Sequence, residues 1–365
     1  MNSTKRISPW AWVPTLYFAQ GIPYFIVNNI SVLMFAKMGV PNGEMALFTS
    51  LLYLPWTIKP FWSPFIDIIK TKRWWIISMQ ILMSLAFILL TLSIPKPDEA
   101  TIAAGTTPIS MFTITLVLFI ITAFASATHD IAADGFYMLA LKQSDQAAFV
   151  GIRSTFYRLA SIFGQGVLVA IAGAIELRNK DIPLSWTITM LVTAVMFSLV
   201  TFYHLFAIPK PASDKSVLTP GTASAKAIFQ EFGRTFATYF TKPGVWLAIA
   251  FMLLYRLPEA FLIKMCMPFL VASKEAGGLE LSTAEVGIVY GTIGVIFLTV
   301  GGILGGLFAS RIGLKKSIWW MAACMTLPCL TFVYLAIGQP DNLFAISTAI
   351  AIEQFGYGFG FTAYM

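Results

Sequence analysis

The segment Ala123-Phe-Ala-Ser-Ala-Thr-His-Asp130-Ile-Ala-Ala-Asp134 places two carboxylates one helical turn apart in apolar surroundings. It belongs to one of ten segments of roughly 20 or more mostly apolar residues, the length that crosses a bilayer. A charge at the centre of a spanning helix costs about 2.5–3.5 kcal/mol on insertion scales, so lone carboxylates do not face lipid. We therefore expect these two side chains to line a polar path in a membrane protein that moves a solute.

The composition places the chain in a bilayer. Hydrophobic residues make up 58% and charged residues 11% of the sequence, whereas a soluble domain holds about 25% charged residues. The cysteines lie inside apolar runs at spacings that fit neither a metal site nor a disulfide, so we expect plain core or lipid-facing side chains at Cys266, Cys324 and Cys329. The expected partners are the lipid bilayer, protons and a small-molecule substrate. We predict no cofactor, no metal site, no nucleic-acid partner and a monomer.

The loop charges predict the orientation of the chain. Most Lys and Arg residues outside the spans fall in one alternating set of loops, which contains the N-terminus and the long loop 209–243. The positive-inside rule places that set in the cytoplasm, and we interpret Met1 as the start of the mature chain. The predicted spans are 9–36, 43–66, 74–94, 109–140, 146–175, 184–208, 244–272, 283–309, 316–337 and 342–365.

An internal repeat divides the chain. Gly21-Ile-Pro23 and Trp74-Trp75 in the first half correspond to Arg256-Leu-Pro258 and Trp319-Trp320 in the second. Duplicated bundles with a cytoplasmic joint are typical of transporters whose halves rock around a central site. We expect a six-helix bundle over 1–208, a cytoplasmic linker over 209–243 with an amphipathic helix near 223–239, and a partial bundle over 244–365. Because the second copy has four spans, we expect a fragment that lacks spans eleven and twelve.

Two basic turns carry a first resemblance. Gly305-Gly-Leu-Phe-Ala-Ser310-Arg311-Ile-Gly313-Leu-Lys315-Lys316 resembles the Gly-x-x-x-Asp-Arg-x-Gly-Arg-Lys loop of the major facilitator superfamily, with Ser310 where the family often has Asp. Its first-half counterpart, Trp62-Ser-Pro-Phe-Ile-Asp67-Ile-Ile-Lys70-Thr-Lys-Arg73, keeps the acid but lacks the glycines. The resemblance implies cytoplasmic gate residues at Asp67, Arg73 and Arg311. The alternative is that they are ordinary solvated loop ends.

A second resemblance is more specific. Leu54-Pro-Trp-Thr-Ile-Lys59-Pro-Phe-Trp-Ser-Pro-Phe-Ile-Asp67, Ser126-Ala-Thr-His-Asp130-Ile-Ala-Ala-Asp134 and Phe156-Tyr-Arg158-Leu resemble, in this order, three segments of the AmpG-type muropeptide permeases. The related acetyl-coenzyme A transporters share much of the pattern, and His129 stands where these families usually have Gln. The resemblance implies an all-α major facilitator fold in a bacterial inner membrane. It also implies proton-driven import of N-acetylglucosaminyl-anhydromuramyl species.

The two carboxylates of the segment 123–134 are the expected proton-coupling residues. Asp130 and Asp134 lie at i and i+4, on one face of span four. Two adjacent carboxylates in a dry site repel when both are ionised, which favours proton uptake by one of them. The structural alternative is a pair of salt bridges to Arg153 or Arg158. Lys59, deep in a span broken by prolines, needs a carboxylate partner of the Asp130 or Asp134 type, either for coupling or for structure.

Two polar stripes predict substrate contacts. The first comprises Gln20, Tyr24 and Asn28 on span one, and the second comprises Arg158, Ser161 and Gln165 on span five. A stripe of this length on a spanning helix usually lines a cavity, although single members also cross-link helices. The Arg158 guanidinium suits a bidentate clamp on a substrate carboxylate.

The second half carries its own charged set. Arg256 and Glu259, at i and i+3 around Pro258, are expected either to neutralise one another or to contact substrate. Glu353 in span ten occupies the region equivalent to Asp130 and Asp134. We expect it to be a second protonation site or the partner of Lys264. The glycines that follow it permit bending or close packing.

Other classes of protein fit less well. An intramembrane metal-dependent hydrolase would need a His-Glu-x-x-His spacing, and the chain has only His129 and one other histidine. Duplicated halves are typical of transporters and are not expected of a sensor or a channel, and the sequence contains no repeated pore loop. We therefore predict a secondary active transporter that works by alternating access and is not an enzyme. Alternative substrates are other bulky anions such as acyl-coenzyme A, a nucleotide or a sugar conjugate.

Overall fold

The computed structural model describes residues 7–216, 225–281 and 283–363, which form helices without a β-strand in these ranges. Two compact units are present, Met1–Thr235 and Phe236–Met365. The helix predicted near 223–239 is confirmed as Ala225–Phe240, at the boundary between the units.

Within residues 7–216, the first unit contains ten α-helices. Hydroxyl and carboxylate caps begin several of them: Thr71 accepts a hydrogen bond from the Trp74 amide at 3.2 Å, and Asp181 accepts one from the Leu184 amide at 2.8 Å. The helices are α1 (Pro9–Phe25), α2 (Ser31–Lys37), α3 (Asn42–Ile58), α4 (Ser63–Ile69), α5 (Lys72–Ser93), α6 (Glu99–Ala104), α7 (Thr113–Ala140), α8 (Gln143–Ile162), α9 (Val169–Asn179) and α10 (Ile182–Ala207).

Two of the long helices of this unit contain a π-helical stretch. Ile26–Ile30 joins α1 to α2, and Phe163–Leu168 joins α8 to α9. A π-helical turn takes up one extra residue, so side chains after it lie on a different face from that of a regular helix. Both predicted polar stripes cross such a stretch.

The second unit begins within the boundary helix α11 (Ala225–Phe240), at Phe236. In this unit, a π-helical stretch, Gly287–Gly294, precedes the helix Val295–Ile312. The tight turn after that helix contains Gly313 at φ +85°, a backbone conformation that glycine adopts readily. The helices are α12 (Val245–Val271), α13 (Thr283–Val286), α14 (Val295–Ile312), α15 (Leu314–Thr326), α16 (Leu330–Gly338) and α17 (Leu343–Phe361).

Among the described residues, eight helices are long and apolar enough to cross a membrane, so this is a multi-pass membrane protein. The predicted count of ten is not confirmed. The segment 43–66 is helical but breaks after Ile58, where Lys59 and Pro60 start a short 3₁₀ turn. The segment 342–365 contains α17, whose hydropathy is lowered by Glu353, Gln354 and three glycines.

Close backbone contacts hold the second unit together. A Cβ atom added at Gly305 of α14 would lie 2.4 Å from the carbonyl oxygen of Phe359. A Cβ atom added at Gly358 of α17 would lie 2.1 Å from the carbonyl oxygen of Leu298. Small residues that let helices approach are the usual basis of helix association in lipid, where burial of apolar surface contributes little. The glycines of α17 therefore serve close packing, one of the two roles that the sequence left open.

Candidate functional site

Asp130 lies at the centre of the first polar cluster. It projects from α7 and accepts hydrogen bonds from the side-chain amide of Gln20 on α1 and from the ammonium of Lys59 at the end of α3. The Asp130 side chain is 15% exposed and that of Lys59 is 36% exposed. A charge so placed needs an opposite charge, and the prediction that Lys59 pairs with Asp130 or Asp134 is confirmed.

Asp134 lies one turn further along α7 and has a separate set of partners. Its Oδ1 accepts hydrogen bonds from the Arg153 guanidinium at 2.9 Å and from the Tyr17 hydroxyl at 3.0 Å. The guanidinium lies over two aromatic rings, at 4.6 Å from the centroid of Tyr17 and 5.2 Å from that of Tyr137. Of the predicted cationic partners, Arg153 therefore binds Asp134, and this contact joins spans four and five.

A buried network that the sequence did not reveal lies behind these carboxylates. Gln80 on α5 hydrogen-bonds to His129 Nε2 at 2.9 Å through its amide nitrogen and to His204 Nδ1 at 3.0 Å through its amide oxygen. His204 Nε2 lies 2.9 Å from the Thr15 hydroxyl. The side chains of Gln80, His129 and His204 are fully buried. His129 therefore faces the interior of the helix bundle, whereas Asp130, the next residue, faces the polar cluster.

Four aromatic rings form a cluster, two members of which interact with the Lys59–Asp130 pair. Tyr24 contacts Trp56 at 5.2 Å between ring centroids, and Tyr53 and Tyr157 at 6.4 Å each. Tyr53 interacts electrostatically with Lys59, and Tyr157 with Asp130. We call Tyr24, Tyr53, Trp56 and Tyr157 the aromatic cluster. Tyr53 is 47% exposed, so part of the cluster is open to a ligand.

The π-helical stretches change the predicted stripes. Asn28 donates to the Tyr24 carbonyl of its own helix at 3.0 Å, and its predicted contact with substrate stays a prediction. Its neighbour Asn29 reaches across and donates to Gln165 Oε1 at 3.2 Å. Gln165 in turn donates to the Ser161 hydroxyl at 2.7 Å. Arg158, one turn before Ser161, is partly buried.

The predicted gate residues have different surroundings. Arg73 donates to the carbonyls of Leu205 at 2.8 Å and Ile208 at 3.1 Å, which ties α5 to the C-terminal end of α10. Arg311 is exposed at the end of α14. The Asp67 side chain lies outside the described side chains, and the gating role stays a prediction for all three.

The second unit contains the predicted residues of spans seven and ten. Arg256 donates to the Tyr357 hydroxyl at 3.4 Å and lies 4.9 Å from the centroid of the Phe361 ring. Neither carboxyl oxygen of Glu259 has a hydrogen-bond donor among the described residues. Arg256 interacts electrostatically with Glu259, in line with the predicted neutralisation. Glu259 also lies against Glu353, which accepts a bond from Gln354 at 2.9 Å.

Comparison with known proteins agrees with this architecture. Residues 15–365 match the family model of the Major Facilitator Superfamily. The chain is 26% identical over 357 residues to the putative transporter AmpG 4 of Rickettsia conorii, covering 95% of this chain and 78% of that protein. It is 24% identical over 357 residues to the anhydromuropeptide permease of Escherichia coli K12, covering 96% of this chain and 65% of the permease. The resemblance to AmpG-type permeases is confirmed.

Solved structures show the same fold at lower identity. The major facilitator transporter FucP in its outward conformation superposes with a TM-score of 0.63 at 17% identity, covering 98% of this chain and 84% of that one. A bacterial homologue of the iron transporter ferroportin superposes with a TM-score of 0.57 at 17% identity, covering 98% and 83%. From the family match over almost its whole length, the chain belongs to the major facilitator superfamily.

Proposed function

We propose that the protein is a secondary active transporter that imports anhydromuropeptides by alternating access, driven by protons. The observation that carries this proposal is the pair of carboxylates on one face of α7. Asp130 and Asp134 lie inside a membrane-spanning helix, and each is bound to a cation and to a neutral donor. Ionisable groups at such depth are rare and usually mark the path of a substrate or proton.

The contacts favour a step in which protonation loosens the cluster. When Asp130 gains a proton, it loses most of its attraction for Lys59, and the ammonium becomes available to a substrate anion. Tyr17 and Arg153 hold Asp134 on the same face and join three helices there. A change of protonation on α7 would therefore alter the contacts of α1, α3 and α8 together.

The aromatic cluster supports a sugar-containing substrate. Ligand sites combine apolar and aromatic walls with a few placed polar groups. Here Tyr24 contacts Trp56 and Tyr53, and Tyr53 interacts with Lys59. Flat rings suit the faces of two pyranose rings, while Lys59 and Arg158 suit the carboxylates of a peptide stem. The names of the AmpG relatives point to the same class of ligand.

The same comparison and the loop charges support a location for the protein. We place the protein as a monomer in the bacterial inner membrane, with its N-terminus and the loop 209–243 in the cytoplasm. The excess of Lys and Arg in that set of loops supports this orientation.

Ligand-induced thermal stabilisation of the purified protein tests the substrate class. A ligand that binds only the folded state stabilises by about 2.7 kcal/mol at 100 times its Kd. We expect a saturable rise in Tm with N-acetylglucosaminyl-anhydromuramyl peptide, a smaller rise with the sugar lacking its peptide, and none with acyl-coenzyme A or a nucleotide. Trp56→Ala should weaken the response, whereas Trp74→Ala, in the same unit but outside the aromatic cluster, should not.

The opposite pattern of ligands would change the assignment. A rise with acyl-coenzyme A and none with the muropeptide would assign a different bulky anion to this site. Equal responses of the two tryptophan variants would remove the aromatic cluster from substrate recognition.

A further inference from the structure

We infer that Glu259 and Glu353 form a carboxyl dyad that holds one proton between them and is a second proton-binding site, in the C-terminal unit. The existence of the dyad stands on its own contacts, while its part in coupling rests on the proposed transport function. Glu259 belongs to α12 and Glu353 to α17.

The register of the two helices brings the carboxyl groups together. The Tyr255 hydroxyl donates to the Gly360 carbonyl at 2.8 Å, and Arg256 donates to the Tyr357 hydroxyl at 3.4 Å. The pairs run antiparallel, so the next turn of α12 meets the preceding turn of α17. Glu259 therefore lies against Glu353, in line with the interaction between the two side chains.

Burial and unmet hydrogen bonding argue against two charges on the pair. Glu259 is 1% exposed and Glu353 is 2% exposed. Both oxygens of Glu259 and Oε1 of Glu353 have no donor among the described residues. Two ionised carboxylates can only accept hydrogen bonds, whereas a protonated one donates to the other. A shared proton satisfies the pair and removes one of two adjacent buried charges.

The groups around the dyad are suited to a proton. The side-chain amide of Gln354 donates an N–H to Glu353 Oε2. A hard metal cation bound at this position would need an oxygen ligand there, and the amide presents a hydrogen-bond donor. The other titratable or charged side chains that interact with the pair are Arg256 and Cys266 on α12, Tyr290 on the π-helical stretch, Cys329 on the turn before α16 and Tyr357 on α17. The Lys264 side chain lies outside those described and is tested directly.

The first test follows the thermal unfolding of the purified protein as the pH is raised from acidic to alkaline values in potassium buffer. Loss of the shared proton leaves two facing charges, so the Tm of the wild type should fall by several degrees. Glu353→Gln and Glu259→Gln should both flatten this fall, because an amide keeps a donor beside one carboxylate. Lys264→Met should keep the wild-type profile.

The second test is infrared spectroscopy of the same samples. The wild type should show a carbonyl band of a protonated carboxylic acid that disappears at alkaline pH. The band should be absent from the variant that combines Glu259→Gln with Glu353→Gln, and it should persist in Asp130→Asn and Asp134→Asn. None of these readouts requires transport, so a protein that fails to move muropeptides still tests the dyad.

Three results would overturn the inference. Parallel Tm profiles for the wild type and both glutamine variants would show that no shared proton is lost. A flat profile in Lys264→Met would assign the titration to a Lys264–carboxylate pair. A rise in the Tm of the wild type with sodium, absent from the glutamine variants, would make the pair a cation site.

Discussion

The residues of α7 show how one turn of helix separates two carboxylates chemically. Asp130 is bound by Lys59 and Gln20, and Asp134 by Arg153 and Tyr17. Neighbouring carboxylates with different partners need not respond equally when a proton or a substrate arrives. We therefore regard Asp130, whose cation lies beside the aromatic cluster, as the more direct link between proton and substrate.

The Lys59–Asp130 pair makes a prediction about stability. Lys59→Met and Asp130→Asn should each cost about 1–3 kcal/mol, between the values for exposed and fully buried pairs, because each leaves the partner without its counter-ion. The double variant should lose less than the sum of the two. Chemical or thermal unfolding of the purified protein in detergent measures the three values.

The matched control for this cycle is Asp98→Asn, which makes the same change on the exposed cap of α6, where Asn caps about as well as Asp. It should leave the stability unchanged. Strict additivity of the Lys59 and Asp130 changes would contradict the pairing.

Single residues also show the limit of sequence reasoning. The sequence predicts that Lys59 pairs with a carboxylate of span four because an ammonium in an apolar span has few alternative partners. It does not predict the contacts of Gln80, since nothing in its apolar surroundings distinguishes an amide that joins two histidines from one that bonds to a helix backbone. The contact of His129 with His204 through Gln80 depends on three helices far apart in sequence, and only the fold brings them together.

At the scale of elements, the glycines between α14 and α17 make the sharpest prediction. Gly305→Ala would place a methyl group 2.4 Å from the Phe359 carbonyl oxygen. Overpacking of this kind costs about 1–3 kcal/mol. Gly306→Ala, at the next position, would meet only the Thr362 methyl group at 3.7 Å and should cost little. Thermal unfolding in detergent compares the two variants, and an equal loss in both would contradict the close packing of these helices.

Helices were predictable as elements, but their internal irregularities were not. Apolar length alone located eight of the spans. The stripe on span one assumed a regular helix, yet the π-helical turn at Ile26–Ile30 brings Asn29 rather than Asn28 to Gln165. The residues of that turn, Ile-Val-Asn-Asn-Ile, carry no pattern that distinguishes a π-helical turn from a regular one.

At the scale of the whole molecule, composition was sufficient for the fold class, and three short segments were sufficient for the relationship to AmpG permeases. The internal repeat predicts two related bundles, and each compact unit carries its own pair of carboxylates on long apolar helices: Asp130 and Asp134 in the first, Glu259 and Glu353 in the second. In the first unit each carboxylate has a cation, whereas the second unit has two acids facing one another. We propose that the first unit binds both the substrate and a proton, and that the second unit binds a further proton.

The most direct measurement is uptake of labelled anhydromuropeptide into proteoliposomes under an inward proton gradient. The wild type should accumulate the substrate above its outside concentration, and an uncoupler should abolish the accumulation. Asp130→Asn and Asp134→Asn should lose accumulation while keeping part of the exchange between labelled and unlabelled substrate. Accumulation that ignores the uncoupler, or full gradient-driven uptake in both variants, would contradict proton coupling through α7.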